Sequence, residues 1–289
     1  MKRDEVLGAI GRQFRLKEIF EDTLEQIAKN PKLRKATKEA QVCARFYSEV
    51  EPIELQAMDE TSKQLNAYTT SERTFEAARR LLSESDEKVA VLNFANSVRP
   101  GGGVKGGSSA QEEQSCRCSN LFPIIDQIRF HDLYYLVNTE KRSPLGSDAI
   151  IYAPGVTVFK SDTYYPEMLP EKDWFKADVI TCAAPNLYFR GDKMSDEEQY
   201  KVMFKRAERI LDSAIVNNAR RLVLGAFGCG AFHNDPKIVA KAFYNALMEE
   251  ERFREFKEVV FAVYHREDET ENFGEFAKLF PVKPISHQM

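Results

Sequence analysis

Two stretches of this chain combine residue types that can hold an anion and move a proton. One runs from Asn93 to Glu113 and reads NFANSVRPGGGVKGGSSAQEE; the other runs from Gly225 to Pro236 and reads GAFGCGAFHNDP. Each joins an apolar run to a predicted helix start. Glycines let backbone N–H groups approach a ligand closely, and a helix N-terminus adds a dipole that favours phosphate, so an anion can be held without a lysine. A carboxyl group in a partly dry loop can keep its proton near neutral pH and act as a general acid, which brings Glu112 and Glu113 forward as catalytic candidates. Adjacent glutamates leave one helix turn in different directions, so their spacing argues against an independent acid and nucleophile flanking one bond. The same pair also reads as an ordinary acidic helix start, stabilised by the dipole.

Common phosphate motifs do not account for the first stretch. Gly101, Gly103 and Gly106 satisfy GxGxxG, but the preceding strand is predicted to end near Phe94, too early for a dinucleotide fingerprint. Gly102 and Gly107 have P-loop spacing, yet Ser108 stands where the lysine belongs. Cys229 beside His233 suggests an activated thiol, but nothing supplies the third, orienting group. Cys116 and Cys118 lie two apart on a predicted helix with no second pair at metal spacing, and His131, His265 and His287 are isolated. Neither a metal site nor a redox cofactor is expected.

The order and spacing of the two loops carry more information than either loop alone. Gly101-Gly102-Gly103, seven intervening residues and then Gln111-Glu112-Glu113, reached from an apolar strand through Asn93-Phe94-Ala95-Asn96, resemble the signature of the poly(ADP-ribose) glycohydrolases, most closely the compact microbial type. Gly228-Cys229-Gly230-Ala231-Phe232 resembles the diphosphate loop of the same family. The resemblance covers roughly residues 69 to 265. It implies a macrodomain-like three-layer α/β/α sandwich with a mostly buried mixed sheet, and hydrolysis of ribose–ribose glycosidic bonds that releases ADP-ribose. It further implies that Glu113 is the acid/base, that Glu112 holds ribose hydroxyls, and that Asn96 helps fix the sugar. Gly101 to Gly103 and Gln111 would border the substrate. The diphosphate would meet Phe227, Gly228, Cys229, Gly230, Ala231 and Phe232, with Phe232 covering a ribose or bending the diphosphate. Core packing is the alternative for both phenylalanines, and Tyr264 is read as structural rather than as an adenine platform. The substrate would be poly(ADP-ribose) or an ADP-ribosylated protein, with ADP-ribose as product ligand. A module that binds ADP-ribose without cleaving it, or a hydrolase of mono-ADP-ribosyl conjugates, shares most of these features.

The elements that must position these groups are legible as periodicities. Val6, Ile10 and Phe14, then Phe20, Leu24 and Ile27, recur at helical spacing, so residues 1–68 are expected to form a helical extension packed on a catalytic domain spanning 69–289. Five basic residues between Lys29 and Lys38 read as a solvated face, with an anion or partner patch as the alternative. Thr69 and Glu72 have capping-box spacing and predict a helix through Phe75, Ala78 and Leu82. Val89 to Phe94 is continuously apolar and predicts a strand buried on both faces. Further strands are expected at Ile150 to Ala153, Val156 to Phe159, Val179 to Ala183, Leu222 to Ala226 and Val259 to Tyr264. Helices are expected to open near Gln111, at Ser195 with Glu198, and at Asn234-Asp235-Pro236. Strands interleaved with amphipathic helices mean an α/β sandwich.

Composition bounds the function from outside. The chain has 289 residues, 41 basic and 45 acidic side chains and a formal net charge of −4, which argues against coating nucleic acid through bulk charge. Hydrophobic residues at 43% exclude a disordered chain. Five scattered cysteines are no disulfide framework and favour a reducing compartment. With a charged start and no apolar run of membrane length, the cytoplasm is the expected location and no membrane partner is expected.

Overall fold

The computed structural model describes residues 3–55, 64–188 and 194–285. The side chain of Val6 and the whole of His287 lie outside what is described. The chain opens with two helices, α1 (Arg3–Lys29) and α2 (Pro31–Cys43), the second capped by the Asn30 side chain and started by Pro31. Strands β1 (Arg45–Tyr47) and β2 (Ala67–Thr70) follow, then α3 (Thr74–Glu84) and β3 (Val89–Ala95). Beyond a glycine loop come α4 (Gln111–Cys118), the short helices α5 (Leu121–Ile125) and α6 (Ile128–Phe130), a π-helical turn (His131–Leu136) and α7 (Val137–Lys141). The remainder alternates: β4 (Ile150–Val158), β5 (Phe175–Ala183), α8 (Asp196–Val216), β6 (Arg221–Leu224), α9 (Pro236–Met248), β7 (Glu258–Ala262) and α10 (Glu271–Ala277).

The strands form one seven-stranded mixed sheet in the order β1-β4-β5-β3-β6-β7-β2. From β5 to β2 neighbours run parallel, while β4 and β1 are antiparallel additions at one edge. Both faces are covered. Leu92, Ile180, Leu222 and Phe261 meet α8 and α9 residues such as Met203, Ile210 and Phe243. Val91, Val179, Val223 and Val260 face the opposite layer, which contains Phe75, Leu81, Cys116 and Phe122. Two covered faces explain why these strands are apolar at successive positions instead of alternating.

Several expectations need correction. Residues 1–68 are not all helical: β1 pairs with β4, and β2 begins at Ala67 and pairs in parallel with β7. Thr69 and Thr70 are therefore strand residues, and the next helix opens later, where Glu76 Oε2 accepts the Arg73 N–H at 2.8 Å. The runs at Ile150 and Val156 belong to a single strand, interrupted by a register shift at which Gly155 takes a left-handed φ of +66°. The buried stripe of α1 also starts later than its spacing suggests: Ile10 and Phe14 are 56% and 61% exposed, whereas Leu16, Phe20, Thr23 and Ile27 are buried. The basic stretch behaves as a solvated face, with Lys29 paired to Glu25 and Lys32 to Glu171.

The parallel strands set the site. The loops after β3, β6 and β7 leave the same edge of the sheet, where open α/β sheets bind ligands. Beside β3 the chain passes first to one neighbour and later to the other, which opens a crevice there.

Candidate active site

A cavity of about 400 Å³ lies at that edge. It is lined by Asn96 and Gln111 to Ser115 from the β3 side, by Ala226, Gly228 and Gly230 to Phe232 after β6, and by Val263 and Tyr264 after β7. Glu72, Arg73, Thr74 and Asp162 close the end nearest Tyr264. The volume suits a small-molecule ligand.

The two glutamates sit at the start of α4, pressed against the glycine loop. Glu113 Oε1 accepts the Gly103 N–H at 2.8 Å. Glu112 Oε2 accepts the Asn96 N–H at 2.7 Å, and Oε1 accepts from Asn93 Nδ2 at 3.3 Å. A Cβ on Gly102 would lie 2.6 Å from Glu113 Oε1 and 3.1 Å from Glu112 Oε2, so both carboxylates converge on one glycine. This corrects the expectation that adjacent glutamates point apart: the loop folds back over the helix start and is touched by both. Gly102 has φ of +55°, which glycine adopts without strain, and its missing Cβ is what admits the carboxylates.

Burial pushes the Glu112 carboxyl up to about 8; the Asn96 N–H opposes this, the charge of Glu113 adds to it, and Asn93 and the Gly101 N–H oppose it more weakly. Glu112 therefore holds a proton near neutral pH. Both Glu112 oxygens accept a protein donor, whereas among the described residues only Oε1 of Glu113 does, so Glu113 Oε2 is the most open carboxylate oxygen of the pair.

Gln111 borders the cavity, but its amide is committed to β3: Oε1 accepts the Phe94 N–H at 2.8 Å, and Nε2 donates to Leu92 O at 2.8 Å and Thr74 Oγ1 at 3.1 Å. It fixes α4 to the strand. Asn96 Oδ1 accepts the N–H groups of Val98 and Arg99 at 3.0 Å each, so its amino group is the part left for a ligand. Gly101, Gly102 and Gly103 lie behind the carboxylates, not among the lining residues.

The loop after β6 is arranged differently. Gly228 has φ of +75°, and a Cβ there would meet Ala184 Cβ at 2.4 Å and Asn234 Nδ2 at 2.6 Å. The Asn234 amide and its N–H both donate to Gly228 O, at 3.0 and 3.1 Å. The N–H groups of Gly230 and Ala231 make no backbone hydrogen bond among the described residues. Gly228, Gly230, Ala231 and the half-buried Phe232 line the cavity, but Phe227 and Cys229 do not. Phe227 is fully buried, edge-on to Phe94 and Phe243, so the structure gives it the core role. Burial, with the Asp235 charge adding, pushes the Cys229 thiol well up, which removes the basis for a thiolate nucleophile.

Sequence reasoning missed Arg73 and Asp162 at the far end of the cavity and read Tyr264 as structural, whereas Tyr264 lines the cavity there. The Arg73 guanidinium lies 3.9 Å over the centre of the half-exposed Tyr264 ring. Asp162 accepts the Phe75 N–H at 2.8 Å, and burial pushes its carboxyl up to about 6 against that N–H and the charge of Arg73. Tertiary folding alone brings these residues together. Asn93 did carry a signal, being the one amide within an apolar strand.

Residues 20–161 match the family model described as microbial-type PARG, catalytic domain. The crystal structure of poly(ADP-ribose) glycohydrolase from Thermomonospora curvata superposes with a TM-score of 0.82 at 34% identity, over 92% of this chain and 99% of that one. The same protein bound to the inhibitor ADP-HPD gives 0.79 at 32% identity, with the same coverage. The Deinococcus radiodurans enzyme in complex with ADP-ribose gives 0.72 at 33% identity, over 84% of this chain and 96% of that one. No curated protein matches the sequence.

Proposed function

The chain belongs to the microbial-type poly(ADP-ribose) glycohydrolases, and we infer from its geometry how its own residues carry out that hydrolysis. As a member, it is a glycosidase that cleaves the ribose–ribose bonds of poly(ADP-ribose) and releases ADP-ribose. One observation carries the residue assignment: the Glu112–Glu113 pair and the Gly228–Phe232 loop face one cavity from neighbouring strand ends.

In this reading the diphosphate of the terminal ADP-ribose lies on the loop of Gly228, Gly230 and Ala231, held by backbone N–H groups. Phe232 covers the adjoining ribose. Glu112 and the Asn96 amino group hold ribose hydroxyls and set the scissile bond beside Glu113. Glu113 gives its proton to the departing ribose oxygen as the C–O bond breaks, leaving an oxocarbenium-like centre. Water then adds to that carbon and returns a proton to the Glu113 carboxylate, restoring the acid. Adenine would lie at the Arg73–Tyr264 end, where an aromatic ring and a guanidinium already stack. The catalytic module would be residues 69–289, with 1–68 packed on it as a mainly helical extension that contributes β1 and the start of β2 to the sheet.

No helix among the described residues is long and apolar enough to cross a membrane. A cytoplasmic location is supported by five cysteines in the free form. The function is tested by incubating the protein with labelled poly(ADP-ribose) and with a mono-ADP-ribosylated protein, then separating the products. Release of single ADP-ribose units from the polymer is expected. An intact polymer that remains bound would instead make the chain a reader, and release from the mono-modified protein alone would make it a mono-ADP-ribosyl hydrolase.

A further inference from the structure

We infer that Arg117 is a positioning residue for the reaction, tying helix α1 to the glycine loop behind Glu113, so that α1 belongs to the working site. The inference rests on the assignment of Glu113 given above. Arg117 lies four residues after Glu113 on α4, one turn along the same face. Its side chain is fully buried, yet it forms no ion pair among the described residues, and its Nη1 has no hydrogen-bond partner. Nε donates to Leu16 O of α1 at 3.0 Å, and Nη2 donates to Ser108 O in the glycine loop. Its own carbonyl accepts Thr23 Oγ1 of α1 at 2.7 Å.

These bonds close a ring. Ser108 N–H donates to Gly103 O at 3.2 Å, and Gly103 N–H donates to Glu113 Oε1 at 2.8 Å. The path from Arg117 through Ser108 and Gly103 thus returns to Glu113 on the helix where it began, with α1 as backing. The backing is in direct contact: a Cβ on Gly107, whose φ is +81°, would come 2.1 Å from Gln13 O of α1. α1 is held separately by Lys160, whose Nζ donates to Ile19 O at 3.1 Å and to Asp22 Oδ2 at 2.5 Å.

Among the described residues this buried guanidinium is bonded by carbonyls and not by a carboxylate, with the charge of Glu113 acting on it, and burying such a group is costly. Its placement is accounted for by the geometry it imposes on the loop beneath Glu113. Slack there moves the acid relative to the bond, and misplacement of about 1 Å can cost on the order of 10²-fold in rate.

The experiment uses the full chain with R117M, R117K and the control K160M. It reads melting temperature, calorimetric ADP-ribose affinity, and kcat and KM on labelled polymer. R117M is expected to melt within a few degrees of the parent and to bind ADP-ribose within about threefold, while kcat falls on the order of 10²-fold. R117K keeps the charge but not the fork that reaches two carbonyls, and should recover part of kcat. K160M loosens α1 without touching the glycine loop, so it should lower the melting temperature and cost kcat clearly less than R117M does. The inference is overturned if R117M turns over normally, if its affinity and kcat fall together, or if K160M loses kcat equally. Should R117M not fold, R117K decides alone: a kcat loss of about tenfold or more at unchanged affinity supports the role, and a normal kcat removes it. E113Q run in parallel separates the two levels. Full turnover by E113Q would remove the underlying assignment, whereas an inactive E113Q beside a fully active R117M removes only the role of Arg117.

Discussion

The loop after β3 and the loop after β6 are both rich in glycine and both lead into helices, yet they use glycine for different ends. In the first, Gly102 and Gly103 make room for side chains: two carboxylates press against the backbone, and one is held by a glycine N–H. In the second, Gly228 is locked by Asn234, and the N–H groups of Gly230 and Ala231 make no backbone hydrogen bond among the described residues. One loop confines charge and protons; the other presents neutral donors to an anion. Glycine content alone therefore says little about chemistry, and what the glycines touch says much more.

The sharpest way to break this contrast is to put a side chain into the first loop. Gly102→Ala would drive a Cβ to 2.6 Å from Glu113 Oε1 at a φ that alanine disfavours. Turnover should fall on the order of 10²-fold, with ADP-ribose affinity by calorimetry largely kept. Next in size are the two phenylalanines of the second loop, which the structure separates into core and cavity. Phe227→Ala should cost about 3–5 kcal/mol in a denaturant melt, as for other truncated core aromatics. Phe232→Ala should cost clearly less stability and more turnover. Equal effects at both positions would erase the distinction.

Gly230 offers a milder test. A Cβ there would meet nothing within 4 Å, so Gly230→Val should fold normally. If the loop presents N–H groups to a diphosphate, ADP-ribose should bind roughly tenfold more weakly, since about 1.4 kcal/mol is lost with a hydrogen bond or two, while adenosine is affected less. The smallest effect concerns pH. The folded state raises the Glu112 carboxyl from 4.5 to about 8, so it binds that proton more tightly than the unfolded chain does. The resulting stabilisation is full below about pH 4.5 and is lost as pH rises through 8. Glu112→Gln should flatten the fall of melting temperature across that window. An unchanged slope would mean that Glu112 is not the buried protonated group.

Much of this contrast was legible in the residues, because both loops are local in sequence and bounded by strong signals. Val89 to Phe94, Ser195 with Glu198, and Asp235-Pro236 each sit where apolar pattern and cap chemistry agree. β2 was not legible, because Ala67 to Thr70 become a strand only by pairing with Val259 to Ala262, nearly two hundred residues later. The exposure of Ile10 and Phe14 was hidden for a similar reason: helical spacing shows a stripe but not where its partner surface begins. At the site, Glu112 and Glu113 followed from motif spacing. Arg73, Asp162 and Tyr264 come from three separate segments and share no local pattern. Phe227 and Phe232 look alike in sequence, and only packing tells them apart.

The central claim is that Glu113 moves the proton while the loop after β6 does the holding. Glu113→Gln keeps the shape of the side chain and its acceptor for the Gly103 N–H, but it cannot deliver a proton. Turnover of labelled poly(ADP-ribose) should drop by at least the 10²–10⁴-fold typical of a positioned acid/base, while calorimetric ADP-ribose affinity stays within a few-fold of the parent. Near-normal polymer hydrolysis by this variant would contradict the account.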